Sequence, residues 1–165
     1  MNQIQRFFGA AIIILGMMGG TSVSLSAAEF VGAVAPNDIL RMLKDNGYAD
    51  AHIESTDYED LPVLNLTLAS STAFIYFYEC GSIGKVCEHL QLKVVVPTQN
   101  RPSFKLVNDF NAAERYSQAY FDDQDDLVIE HWLTLEGGIS ETNFLYSVAT
   151  FAKVVDKFED LVPRR

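Results

Sequence analysis

Along the C-terminal stretch of the chain, apolar residues recur at spacings of four and three: Phe144, Val148, Phe151, Val155, Phe158 and Val162. That is the period of an α-helix with one continuous apolar face. Ser140 stands ahead of it as an N-cap, and Gly137-Gly138 breaks the chain before the cap. Upstream the period falls to two. Strands are predicted over Val63–Ala69, Ala73–Cys80 and Cys87–Val96, with an irregular one between Tyr48 and Thr56. A second hairpin runs from Arg115 to Phe121 and from Leu127 to Leu135 around the acidic turn Asp122–Asp126. Two shorter helices complete the pattern. Pro36-Asn37-Asp38 opens one that Asn46-Gly47 stops, and Ser103 caps another through about Phe110. The order α-β-β-β-α-β-β-α predicts an α+β fold, an antiparallel sheet with helices packed mainly on one face.

The two cysteines, Cys80 and Cys87, flank a glycine-containing turn. Pairing them across a hairpin sets every other partner. One face then pairs Phe77 with Leu90, Ile75 with Leu92 and Ala73 with Val94, and is wholly apolar. The other pairs Tyr78 with His89, Tyr76 with Gln91 and Phe74 with Lys93. A slip of one residue mixes the faces, which a half-buried sheet resists. The hydrophobic register and the cysteine register agree, and together they predict a disulfide. Zinc requires more ligands than His52, His89 and His131 supply at any metal-binding spacing. No metal and no cofactor is therefore expected.

The N-terminus changes the compartment. Arg6 precedes an apolar run of about 12 residues, too short for the ~20 that span a bilayer, and Ser26-Ala27-Ala28 ends in small residues. This order predicts a signal peptide over residues 1–28, a flexible lead-in over 29–35, and a single domain over 36–165. The exported chain, periplasmic or secreted, would keep no stable membrane anchor. Cleavage removes Arg6 and no acid, leaving 11 basic residues against 22 acidic ones, a net charge of −11. So acidic a protein repels phosphate backbones, which argues against nucleic acid as a partner. An oxidising compartment suits the disulfide.

Candidate chemistry is sparse. No nucleophile elbow, phosphate loop or metalloprotease motif is present, and Asp122–Asp126 lacks the spacing of a calcium loop. His131 reads as a satisfied histidine on the sheet. Glu130 and Glu136 share the opposite face with Trp132; a hydrolase built on them or on His131 would need a carboxylate with a raised pKa in a cleft. The less ordinary feature is aromatic. If helices cover the Phe77 side, then Phe74, Tyr76 and Tyr78 stand on the open face, with Trp132 beside them. Such a surface points to a protein partner or to self-association, for instance as a homodimer.

Several segments carry a resemblance: ILRMLKDNGY (39–48), FIYFYECGSIGKVCEHLQL (74–92), and VNDFNAAERYSQAYFDDQDDLVIEHWLTLEGGIS (107–140) with the phenylalanine-spaced helix after it. The chain resembles the YbjN-like domain family of bacterial sensory transduction regulators over roughly residues 36–162. Asn111, Tyr116, Ala119 and Gly137-Gly138 match positions characteristic of that family, whereas His131-Trp132 depart from the acidic or aliphatic residues more usual there. The resemblance implies a fold like that of type III secretion chaperones, no catalysis, and a role in binding another protein. A second reading places an apolar small molecule or lipid between the sheet and the Phe144/Phe151/Phe158 face of the last helix.

Overall fold

A computed structural model describes residues 30–32, 34–54, 62–81, 86–98 and 100–162. The expected signal peptide, residues 1–28, lies outside these residues. The chain runs β1 (Phe30–Val31), α1 (Pro36–Asp45), β2 (His52–Glu54), β3 (Val63–Leu68), β4 (Ser71–Cys80), β5 (Cys87–Val95) and α2 (Phe104–Ala113). It continues through β6 (Gln118–Phe121), β7 (Leu127–Thr134), β8 (Ile139–Ser140) and α3 (Glu141–Glu159). The expected order thus gains β1 and β8, and β2 is the irregular strand expected between Tyr48 and Thr56. Strands of two or three residues are too short to show an alternation, so the pattern alone could not supply β1 and β8.

The main sheet is antiparallel, in the order β2-β3-β4-β5-β7-β6. Its centre is the β4–β5 ladder, and the register is the one predicted: Phe77 opposite Leu90, Ile75 opposite Leu92, Ala73 opposite Val94, and Cys80 bonded to Cys87. Those six apolar residues are buried. Phe144, Val148, Phe151, Val155 and Phe158 of α3 are buried in the same core, with Ile39 and Leu43 of α1 and Val107 and Phe110 of α2. Hydrophobic alternation in the strands and a 3.6-residue period in the helices therefore meet on one side of the sheet. His131 belongs to this side, its ring stacked on Phe151 and its Nδ1 hydrogen-bonded to the Tyr116 carbonyl.

Two polar devices fasten the periphery. The buried carboxylate of Glu159, at the end of α3, accepts hydrogen bonds from the Ser70 and Ser71 hydroxyls at the β3–β4 turn. The chain before α1 is tied twice, by β1 pairing with β8 and by two backbone hydrogen bonds between Val34 and Cys87. Gly137 and Gly138 take positive φ, 76° and 84°, which admits the tight turn from β7 into β8.

The edge strand β6 is guarded by a side chain. The Asn111 amide donates to the Ala119 carbonyl at 2.8 Å and accepts from its N–H at 2.8 Å, occupying the place of a neighbouring strand. Unpaired edge groups invite pairing with another chain. Replacing Asn111 by Ala should cost about 1–3 kcal/mol, one lost pair of hydrogen bonds. Urea denaturation measures that loss, and light scattering should show faster aggregation of the variant on storage.

Candidate functional site

The face of the sheet opposite the helices carries Phe74, Tyr76 and Tyr78 of β4, His89, Gln91 and Lys93 of β5, Glu130, Trp132 and Thr134 of β7, and Gln118 and Tyr120 of β6. Alternation places them there, because their sequence neighbours fill the core. The four predicted surface rings fall into two pairs. Tyr78 and Trp132 lie with centroids 4.9 Å apart, and Phe74 and Tyr76 lie 6.3 Å apart. Trp132 is 48% exposed and Tyr78 37%, whereas Phe74 and Tyr76 are half-buried. The ring surface therefore concentrates at Tyr78 and Trp132.

Between these rings and the edge strand sits a buried carboxylate. Glu130 is 5% exposed and accepts four hydrogen bonds. Its Oε1 receives Gln118 Nε2 at 2.6 Å and Trp132 Nε1 at 2.9 Å. Its Oε2 receives Gln91 Nε2 at 2.7 Å and the Tyr120 hydroxyl at 2.7 Å. Gln91 in turn accepts the Tyr78 hydroxyl on its Oε1 at 2.9 Å. Two donors on each oxygen fill the four lone-pair sites of a carboxylate.

Burial alone would push the Glu130 carboxyl upward, but the bonds from Tyr120, Trp132, Gln118 and Gln91 outweigh it and hold the group below its ordinary range. The Tyr120 hydroxyl is pushed strongly upward, by burial first and then by its bond to this anion. A general acid needs the opposite shift, and a general base needs a lone pair open to a substrate. Glu130 has neither. His131, lowered by burial, is spent on Tyr116 and Phe151. What the network does achieve is orientation: it ties the polar ends of Trp132 and Tyr78 inward and leaves their rings at the surface.

Phe144, Phe151 and Phe158 are 0–1% exposed and belong to the core. Neither of two cavities that open at the surface among the described residues is lined by these three rings. The larger, about 650 Å³, is lined by Thr72 and Phe74 of β4, Val95 of β5, Arg101 of the β5–α2 link and Asp125 of the β6–β7 turn. Arg101 is held there over the Phe104 and Phe121 rings and paired with Asp125 at 2.5 Å. The smaller, about 420 Å³, is a shallow dish lined by Arg115, Tyr116, Ser117, Gln118 and Trp132. No group of three metal-ligating side chains occurs among the described residues. Gln91, Gln118 and Tyr120 were not singled out from sequence; only the neighbouring strands β5, β6 and β7 bring them to Glu130.

Glu130→Gln keeps the shape but replaces one acceptor oxygen by a donor that faces two donors. It should destabilise by about 2–3 kcal/mol near neutral pH. Because the folded carboxyl titrates below its unfolded value, its contribution is present above the unfolded pKa and lost as pH falls through the folded one. Denaturation of wild type and variant should therefore converge on acidification.

A family model described as "Putative bacterial sensory transduction regulator" matches residues 35–163. Among solved structures, the chain is similar to one titled "Crystal structure of YbjN, a putative transcription regulator from E. coli", at 16% identity and a TM-score of 0.55, over 75% of this chain and 87% of that one. That likeness is one of fold. No curated protein matches. With the family model spanning most of its length, the chain belongs to the YbjN family.

Proposed function

We propose that the chain is an exported, non-enzymatic regulatory domain that works by binding another protein through the open face of its sheet. The observation that carries this is the Glu130 network. It fixes Trp132 and Tyr78 as a ring pair 4.9 Å apart, partly exposed and already oriented. Large aromatic side chains with few torsions and a tethered polar end lose little entropy on docking, and they dominate binding energy at protein interfaces. Phe74 and Tyr76 extend the same surface towards the opposite end of the strand.

The reading extends to compartment. The cysteines joined in the β4–β5 hairpin fit the oxidising environment that the N-terminal sequence points to. A regulatory rather than catalytic role agrees with the family description. With its lone-pair sites filled, Glu130 serves the surface as an internal tether.

The test is cross-linking of the exported protein in its native periplasm, followed by identification of what it captures. Trp132→Ser and Tyr78→Ser should each reduce capture of the same partner about tenfold or more, the loss of 1–2 kcal/mol or more expected for an interface anchor. Each change also removes one hydrogen bond of the Glu130 network, so capture is compared at a temperature where circular dichroism shows both variants fully folded. Unchanged capture in both variants would show that the open face is not the docking surface.

A further inference from the structure

At one place the sheet is left unfinished. β7 spans eight residues, but β6 covers only its first half, ending its pairing at Gln118 opposite Glu130. The ladder pattern shows what this leaves open. Odd residues of β7 bond toward β5, as do Leu127 and Leu135 with the backbones of Val96 and Glu88. Even positions bond toward β6: the turn bond from Asp122 N–H to the Asp126 carbonyl continues that series, and Ala119 points the other way to meet Asn111. Beyond Gln118, the N–H and C=O groups of Trp132 and Thr134 therefore point outward. Among the described residues they have no hydrogen-bond partner. Asn111 guards the first half of this edge, and nothing equivalent guards the second.

We propose that this half-edge binds the carboxyl-terminal tail of a partner polypeptide, added as a short strand antiparallel to β7. Three observations choose that occupant. Gln118 already fills the position opposite Glu130, so an added strand has to stop or turn aside there. A strand antiparallel to β7 passes Thr134 first and Trp132 second, and so ends at the dish formed by Arg115, Tyr116, Ser117 and Trp132. In that dish, the Arg115 guanidinium forms no ion pair among the described residues, and the buried Ser117 Oγ has no hydrogen-bond partner. A cation and an unused hydroxyl at the stopping point suit a terminal carboxylate.

A second copy of this chain fits less well. Pairing β7 with itself about Leu133 would set the partner copy's β7 end, with its exposed glutamate, beside Glu130, and would join two strongly acidic molecules. The exposed rings of Tyr116 and Trp132, 57% and 48%, flank the position where the last side chain of the tail would rest. The proposal rests on the reading of this face as a protein-docking surface and specifies one mode of docking.

The test uses the exported domain, isotope-labelled for NMR, and an acetylated hexapeptide of alternating threonine and valine. The peptide is supplied once with a free terminal carboxylate and once as the amide. The free acid should shift and protect the Trp132 and Thr134 amides, and it should bind at least about tenfold more tightly than the amide, as expected for a charge-assisted contact. Arg115→Ala should bring the two peptides to equal affinity. Thr134→Pro removes an outward N–H that the β5 ladder does not use, so it should abolish binding while the melting temperature holds. Equal binding of acid and amide to the unaltered domain, shifts confined to other residues, or no binding of either peptide would each overturn the proposal. Periplasmic capture that depends on Tyr78 would still stand in those cases, so the broader docking reading fails separately.

Discussion

Pairing Phe77 with Leu90, rather than with either neighbour of Leu90, decides which side chains of the sheet see the helices and which see solvent. A shift of one residue would turn Ile75 and Phe77 against His89 and Gln91, and every later consequence of the fold would change with it. The Cys80–Cys87 bond closes the same ladder at its turn end. Once that register holds, α3 has an apolar surface to cover with Phe144, Phe151 and Phe158. The aromatic and amide side chains then collect on the opposite face.

On that face, a charge is kept where a hydrophobic sheet protein would ordinarily avoid one. Burying an unpaired carboxylate is costly, and Glu130 meets the cost with neutral donors drawn from three strands. Lys93 stands across the ladder from it but forms no ion pair with it among the described residues. Neutral donors give direction as well as charge compensation, because each must point at a given oxygen. Trp132 and Tyr120 are thereby positioned directly, and Tyr78 through Gln91. A surface that in sequence looked like loose aromatics is an ordered polar network with rings attached.

Much of the fold was legible because its signals are local. The β4–β5 register follows from strict alternation around two cysteines, and α3 follows from six apolar residues on one stripe. Glu130 was visible only as an ambiguous strand acid. Its donors lie up to 39 residues away, and finding them requires knowing that β5 neighbours β7, a non-local choice that alternation cannot make. Asn111 was noticed through family resemblance, yet its role as a substitute strand emerges only from its two bonds to Ala119. The unfinished edge is likewise a matter of relative strand length.

The central claim is that Glu130 holds the surface rings in place before any partner arrives. Trp132 is the single tryptophan of the chain, so its fluorescence reports on that position alone. Time-resolved anisotropy of the purified domain tests the claim most directly. A tethered indole should depolarise only with the tumbling of the whole protein, and Glu130→Gln should introduce a fast component. A large sub-nanosecond component already present in the unaltered protein would contradict the account.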